Sequence, residues 1–551
     1  MTAGELVAAC LEAHGVEVAF GVISIHNMPI LDAIHRRGAI RFVPARGEAG
    51  ALNMADAYAR VSGYLGVAIT STGTAAGNAA GAMVEASSAG TPLLHITGQI
   101  DRPYLDRDLG YLHEARGQLR MLKAISKEAY RIDAPERLLE VLGRAIQCAR
   151  AAPPGPVSVE IPIDLQAGEG SLSDILPLPI SSKPAPLEAI DALAQKLAGA
   201  KRPLLWLGGG ARNASKAVER LIALGFGAVT SVQGRGIVPE DHAMTLGAFN
   251  VSPEVEAFYA SCDAILVVGS RLRSNETLGY KLALPRPLYR IDAEARRDEH
   301  PYVAELFIAG DARATLDALA SRLASIKVDP SFASDLAAAR KAAEAKARAA
   351  LGPYEALVDE LARLAGRDFV WVRDITISNS TWGNRLLKLF GPRDGVHAVG
   401  GGIGQGLPMA IGASGAAHGR KVICLAGDGG LALNLGELGT LVQEKAQLAI
   451  VLMNDRGYGV IRNVQDAEYG GRRCYADLAT PDFEAIARAY GIPFGRVRNA
   501  SGFGPALETA LGAKGPALVE VDMDSVGPYA TAFAGPPKRK QEKKLRAMGT
   551  K

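Results

Sequence analysis

Cysteine is scarce in this 551-residue chain: Cys10, Cys148, Cys262, Cys424 and Cys474 are the only five, widely scattered and without a C-x-x-C pair. That spacing excludes a disulfide framework and a zinc ribbon, and leaves reduced thiols. An excess of one charge is missing too, since 61 Lys and Arg stand against 58 Asp and Glu, a formal net charge of +3. So even a balance excludes the basic footprint of a nucleic-acid binder or of a protein held on an anionic membrane. No apolar run approaches the roughly 20 residues needed to span a bilayer. The start, Met1-Thr2-Ala3-Gly4-Glu5-Leu6, lacks the charged and apolar regions of a signal peptide. The expected setting is the cytoplasm, with neither nucleic acid nor membrane as partner.

What is present is an ordinary globular composition, 48% hydrophobic and 22% charged. A chain this long exceeds one typical domain several times over. Short apolar strands alternate with amphipathic helices in three blocks. The first covers 1–180, with strands such as Leu65-Gly66-Val67-Ala68-Ile69-Thr70, and ends in the Pro-rich linker Leu176 to Pro186. The second covers 187–345 and the third 352–530, followed by a basic tail, 531–551, that carries Lys538-Arg539-Lys540. Alternation of this kind predicts an α/β fold of three doubly wound parallel-sheet domains. The outer two blocks share one grammar, so similar folds are expected to face one another.

The sharpest local signal lies in the third block. The apolar run Lys421-Val422-Ile423-Cys424-Leu425-Ala426 leads into Gly427-Asp428-Gly429, and Leu448-Ala449-Ile450-Val451-Leu452-Met453 leads into Asn454-Asp455. Both runs read as fully buried parallel strands, so the two turns emerge at the same carboxyl edge, where open α/β sheets bind ligands. Glycines admit an anion to the backbone, while Asp428 and Asp455 offer the hard oxygens that Mg²⁺ prefers. The expectation is a Mg²⁺-diphosphate site, with N–H groups of Gly429, Gly430 and Leu431 at a helix start.

Two further segments complete a pattern: Glu48 within Arg46-Gly47-Glu48-Ala49-Gly50-Ala51, and the turn Gly400-Gly401-Gly402-Ile403-Gly404-Gln405-Gly406. No start within these glycines satisfies G-x-G-x-x-G, which removes a dinucleotide fingerprint. Together with the aspartate pair, these segments resemble the thiamine-diphosphate enzymes of the acetolactate synthase, pyruvate oxidase, benzoylformate decarboxylase and benzaldehyde lyase group, over nearly the whole chain. The resemblance implies thiamine diphosphate and Mg²⁺ as cofactors. It implies that Glu48 bonds the pyrimidine ring and that the carboxyl sits in an apolar setting, protonated by desolvation. It implies that Gly401 and Ile403 hold the pyrimidine, with Ile403 wedged between the two rings. It places Ser378, Asn379 and Tyr458 beside the cofactor, and takes metal ligands from Asp428, Asp455 and the carbonyl of Gly457. The family has Asn where this chain has Asp455; the change keeps an oxygen ligand and adds charge.

The reaction rests on other residues. His26, in the loop after the first strand, and His113 fall where relatives carry an active-site histidine and glutamine, and a histidine relays protons near neutrality. Ser71 stands where benzoylformate decarboxylase has histidine, and Val464 where acetohydroxyacid synthases have tryptophan. The implied activity is a carboligase or lyase acting beside a carbonyl, on a 2-oxo acid, an aldehyde or a 2-hydroxy carbonyl compound. A 2-oxo acid decarboxylase, a 2-hydroxyacyl-CoA lyase and a regulatory nucleotide-binding protein that kept the fold stay open. Gly208-Gly209-Gly210-Ala211-Arg212, Gly269-Ser270-Arg271 and Ile291-Asp292 are placed for the phosphates and ribose of FAD or ADP, and a packing role fits them equally. The cofactor is expected between the first block of one subunit and the third of another, which implies a homodimer at least and a homotetramer as the full assembly.

Overall fold

The computed structural model of the chain describes residues 1–170, 175, 177–180, 185–323 and 326–535. Residues 176 and 181–184 of the expected linker and all of the basic tail from residue 536 onward lie outside the described residues.

Among the described residues, seventeen strands form three sheets. The first holds β1 (Val18–Gly21), β2 (Arg41–Pro44), β3 (Gly66–Thr70), β4 (Leu93–Gln99), β5 (Glu128–Arg131) and β6 (Pro156–Pro162), in the order β2-β1-β3-β4-β6-β5. The second holds β7 (Pro203–Leu207), β8 (Gly227–Thr230), β9 (Ala264–Val268), β10 (Leu288–Asp292) and β11 (Leu306–Ala309), in the order β11-β10-β9-β7-β8. The third holds β12 (Phe369–Arg373), β13 (Gly395–His397), β14 (Lys421–Gly427), β15 (Leu448–Asn454), β16 (Phe494–Val497) and β17 (Ala517–Asp522), in the order β13-β12-β14-β15-β17-β16. Every pairing within them is parallel. The third sheet repeats the order of the first, strand for strand.

The reason is legible in the strands themselves. Residues of β3, β4, β7, β9 and β15 are buried throughout, as continuous apolar runs covered by helices on both faces must be. Because all strands point one way, the residues that follow them collect along a single edge. Glu48 follows β2, His26 follows β1, and the turn 400–406 follows β13. Asp428 follows β14, and Asp455 follows β15. Among the described residues, no helix is long and apolar enough to cross a membrane.

The first and third sheets are joined by two helices. Glu48–Ser62, rich in alanine, lies against Gly406–Ala416, and Ala51, Met54, Ala55, Leu407, Ala410 and Ala413 belong to one buried core. At the crossing, a side chain on Gly412 would overlap the backbone carbonyl of Met54. Backbone therefore packs on backbone there, and neither helix can shift without the other. Gly412→Val is expected to force the helices apart and cost about 1–3 kcal/mol, the usual penalty for overfilling a packed core. Urea denaturation checks it: an unchanged midpoint would show that this contact does not fix the two helices.

Candidate active site

Strands β14 and β15 run in register, with Gly427 opposite Met453, so Asp428 and Asp455 leave the sheet together. Asp428 is 1% exposed, and neither of its carboxylate oxygens has a hydrogen-bond partner. Burial shifts the Asp428 carboxyl upward, and the half-buried Asp455, desolvated and also facing the Asp428 charge, is pushed up to about 7. Two adjacent carboxylates largely withdrawn from water repel one another, and a cation between them relieves that cost. Among the described residues, no group of three or more His, Cys, Asp or Glu side chains forms a metal cage. The pair therefore suits Mg²⁺, which completes its shell with carbonyl, water and phosphate oxygens. Arg462 donates to the Asp455 carbonyl at 2.6 Å while staying 3.7 Å from its carboxylate. Asn454 turns away and donates to Glu520 at 2.7 Å.

The helix Asp428–Leu433 begins at the aspartate pair, so the first-turn amides of Gly429 and Gly430 have no partner within the helix, while that of Leu431 is in line with the Gly427 carbonyl. Both glycines are required by their neighbours. A Cβ on Gly429 would come within 2.7 Å of the Tyr458 ring, and one on Gly430 within 2.8 Å of the Asp374 carboxylate. Gly457 is equally confined, since a side chain there would overlap the Ala476 carbonyl and the Arg462 guanidinium. Tyr458 thus covers the start of the helix, with its backbone N–H donated to Ala476 at 2.8 Å.

Asp374, directly after β12, accepts from the backbone N–H of Gly404 at 3.0 Å, Gly406 at 3.2 Å and Ile375 at 2.7 Å. Burial pushes its carboxyl up to about 6. It anchors the far end of the glycine turn, and buried Glu85 anchors the near end. Between them Gly401 has φ +87° and open space about its Cα, and Ile403 stands 37% exposed. An apolar side chain is thereby presented to a ligand. Ser378 and Asn379 lie close by after β12, and both are buried. The Ser378 hydroxyl already shares a hydrogen bond with Tyr529 at 2.8 Å, whereas the side-chain oxygen of Asn379 has no partner.

The edge of the first sheet carries the other group. Glu48 is the first residue of its helix, half-buried, and accepts from the Asn78 side chain at 3.1 Å. The desolvated setting expected for it is incomplete within one chain. The turn before it is pinned by Glu437, which accepts from the N–H of Arg46 at 3.2 Å and of Gly47 at 3.1 Å. His26 and His113 are brought together, ring centroids 5.1 Å apart and interplanar angle 75°. His26 is buried with Nδ1 unpartnered. Its pKa is lowered, first by burial and then by the neighbouring His113, with Asp101 opposing. His113 is exposed and held at φ +67°, a left-handed conformation that is uncommon for a residue with a side chain. The Ser71 hydroxyl, at the end of β3, is buried and also unpartnered.

In the middle sheet the switch-point glycines pack on one another: a Cβ on Gly210 would lie 2.9 Å from Gly269 Cα, and one on Gly208 2.6 Å from Ser270 Cα. Asp292 is bonded to Arg297 at 2.7 Å, and Arg271 donates to the Ser87 carbonyl at 3.3 Å. These contacts favour packing over a nucleotide cradle. Asp374, Glu85, Glu437 and Arg462 are the residues that sequence reasoning missed; Asp374, directly after the apolar run Phe369–Arg373, was the one with a local signal.

The outer edges accordingly carry two groups, a carboxylate with a histidine pair and an aspartate pair with a glycine turn. Three domain models of thiamine pyrophosphate enzymes match the chain: the N-terminal TPP binding domain over residues 1–122, the central domain over 190–319 and the C-terminal TPP binding domain over 376–521. A protein of Pseudomonas aeruginosa described as a probable 2-ketoarginine decarboxylase is 34% identical over 539 residues, covering 95% of this chain and 94% of its own. Acetolactate synthase isozyme 2 large subunit of Escherichia coli is 28% identical over 543 residues, 96% of each chain. A probable acetolactate synthase large subunit of Methanococcus aeolicus is 27% identical over 557 residues, 95% of this chain and 92% of its own. With both outer blocks and the middle one matched in order, and with that identity along nearly its full length, the chain belongs to the thiamine pyrophosphate enzymes.

Proposed function

We propose that this protein binds thiamine diphosphate through Mg²⁺ and removes CO₂ from a small 2-oxo acid, releasing the aldehyde. The observation that carries the reading is the Asp428–Asp455 pair, whose Asp428 oxygens have no hydrogen-bond partner, beside a glycine turn that presents Ile403. Asp428, Asp455 and the carbonyl of Gly457 would hold the metal, and the amides of Gly429, Gly430 and Leu431 the diphosphate, with Ser378, Asn379 and Tyr458 around it. Gly401 and Ile403 would hold the pyrimidine side. When bound, the cofactor supplies a carbon nucleophile and an electron sink. Glu48 would hold the proton that switches it on.

The histidine pair supports aldehyde release. A buried imidazole whose pKa is lowered stays neutral near pH 7, and a second, exposed ring beside it connects it to solvent. Such a pair delivers a proton to a carbon that has just lost CO₂. Capture by a second carbonyl, as the names of the acetolactate synthases above imply, is the other reading; Val464, which stands where acetohydroxyacid synthases carry tryptophan, departs from it. A 2-oxo acid donor is common to both. FAD and ADP are left out because the switch-point glycines pack against each other.

A second copy of the chain completes the site in this reading. Ile25 is 66% exposed, Leu112 71%, Leu433 56% and Ile461 48%, all beside the two edges. Apolar side chains of this size call for a covering surface, and a homodimer or a tetramer of two such dimers supplies it.

Glu48→Ala is expected to lower turnover of a 2-oxo acid by roughly 10²–10⁴-fold, the range for losing a proton-transfer group, in a folded protein. A screen of 2-oxo acids should give CO₂ and aldehyde in equal amounts; CO₂ with a condensed product and no aldehyde would favour the synthase reading. Aldehyde from benzoin or a 2-hydroxyacyl-CoA, without CO₂ from any 2-oxo acid, would overturn the proposal.

The aspartate pair predicts a pH dependence of its own. The Asp455 pKa is raised on folding, so its stabilising contribution is present at low pH and lost as pH climbs through about 7. Without divalent cations, Tm should therefore fall between about pH 4, the ordinary carboxylate value, and about pH 7, and level off above it, and Mg²⁺ should reverse the fall. Below about pH 7, Mg²⁺ affinity should drop up to about tenfold per pH unit as the proton competes. Affinity independent of pH across that window would count against the pair as metal ligands.

A further inference from the structure

The glycine turn is entered through a buried charge network that the reaction proposed above does not use. Glu85, 2% exposed on the helix Ala80–Ala89, accepts from Val399 N–H and from Gly400 N–H, each at 2.6 Å, one on each carboxylate oxygen. Both bonds are short, as expected when the acceptor carries charge. Arg60 keeps that charge in place. It lies 3.0 Å from Glu85, pairs with buried Asp56 at 2.5 Å and donates to the His397 carbonyl at 2.7 Å. From the middle domain, Arg273 donates to the Val399 carbonyl at 3.0 Å. Four backbone groups within residues 397–400 are thus held by side chains of other domains. A Cβ on Gly400 would stand 2.8 Å from the Glu85 carboxylate, so the turn is fitted to this contact.

We propose that Glu85 is a positioning residue for the cofactor-holding turn: it fixes the backbone at Val399 and Gly400 so that Gly401 and Ile403 are presented before any ligand arrives. The inference rests on the thiamine-diphosphate reading of the site. Arg60 lies on the helix that Glu48 begins, so one buried cluster sets the entry to the turn and ties it to that helix. A glutamine at position 85 is close in shape but has one acceptor oxygen, and its amide would face a backbone N–H as donor against donor. One of the two N–H groups would lose its partner, at a buried place where that is costly.

The turn reaches the ring end of the cofactor and the metal pair reaches the phosphate end, and that separates positioning from general damage. In saturating Mg²⁺, isothermal titration of full-length Glu85→Gln should show thiamine diphosphate binding weakened at least about tenfold, with inorganic diphosphate bound within about twofold of wild type. Glu85→Asp, which keeps the charge on a shorter stem, should show the same split to a smaller degree and serves if Glu85→Gln does not fold. Equal thiamine diphosphate affinity in variant and wild type would overturn the inference. Equal losses for both ligands would overturn it too, because Glu85 would then merely support the domain. A wild-type protein that binds no thiamine diphosphate would refute the functional reading itself, and this inference with it.

Discussion

Where the helix Glu48–Ser62 crosses the helix Gly406–Ala416, backbone meets backbone, and the space for a side chain at Gly412 is filled by the Met54 carbonyl. The first residue of one helix is Glu48, and the other is preceded directly by the turn with Gly401 and Ile403. A contact with no side chain between its members leaves little freedom to slide. Two sheets of the same strand order are thereby locked together, each with its carboxyl edge set relative to the other. Alanines along the Glu48 helix and glycines along the other are a condition of that approach, and so of the position of every group at the two edges.

Electrostatics then divides the labour between the edges. At the third sheet, burial acts on carboxylates: Asp428 and Asp455 bind protons more readily than ordinary acids do. At the first sheet, burial acts on an imidazole, so that His26 is held neutral beside His113. The same cause, loss of water, raises the carboxyls at one edge and lowers the imidazole at the other. Buried carboxylates also do a purely mechanical task, since Asp374 and Glu85 spend their acceptor capacity on backbone N–H groups at the two ends of the glycine turn.

Much of this was legible in the sequence because it is local. Lys421 to Asp428 announces a buried strand and the ligand at its end within a few residues, and Leu448 to Asp455 does the same. The three parallel-sheet blocks follow from the alternation of apolar strands with amphipathic helices. Glu85 could not be found that way: it sits in an alanine- and serine-rich helix and meets its partner 314 residues later. Glu437 is separated from Arg46 by 391 residues for the same reason. A carboxylate that acts on distant backbone leaves no spacing to read. The pairing of His26 with His113 is likewise a product of two segments, one after β1 and one after β4, meeting over the same sheet edge, and only the chemistry of each ring was visible beforehand.

The central claim is that Glu48 holds the proton that activates a cofactor seated between these edges. The most direct test is the exchange of the thiazolium C2 proton for deuterium in bound thiamine diphosphate, followed by quenched-flow NMR in the wild type and in Glu48→Gln. The account predicts exchange roughly 10²–10⁴-fold faster in the wild type. Equal exchange rates, with the cofactor bound in both proteins, would contradict it.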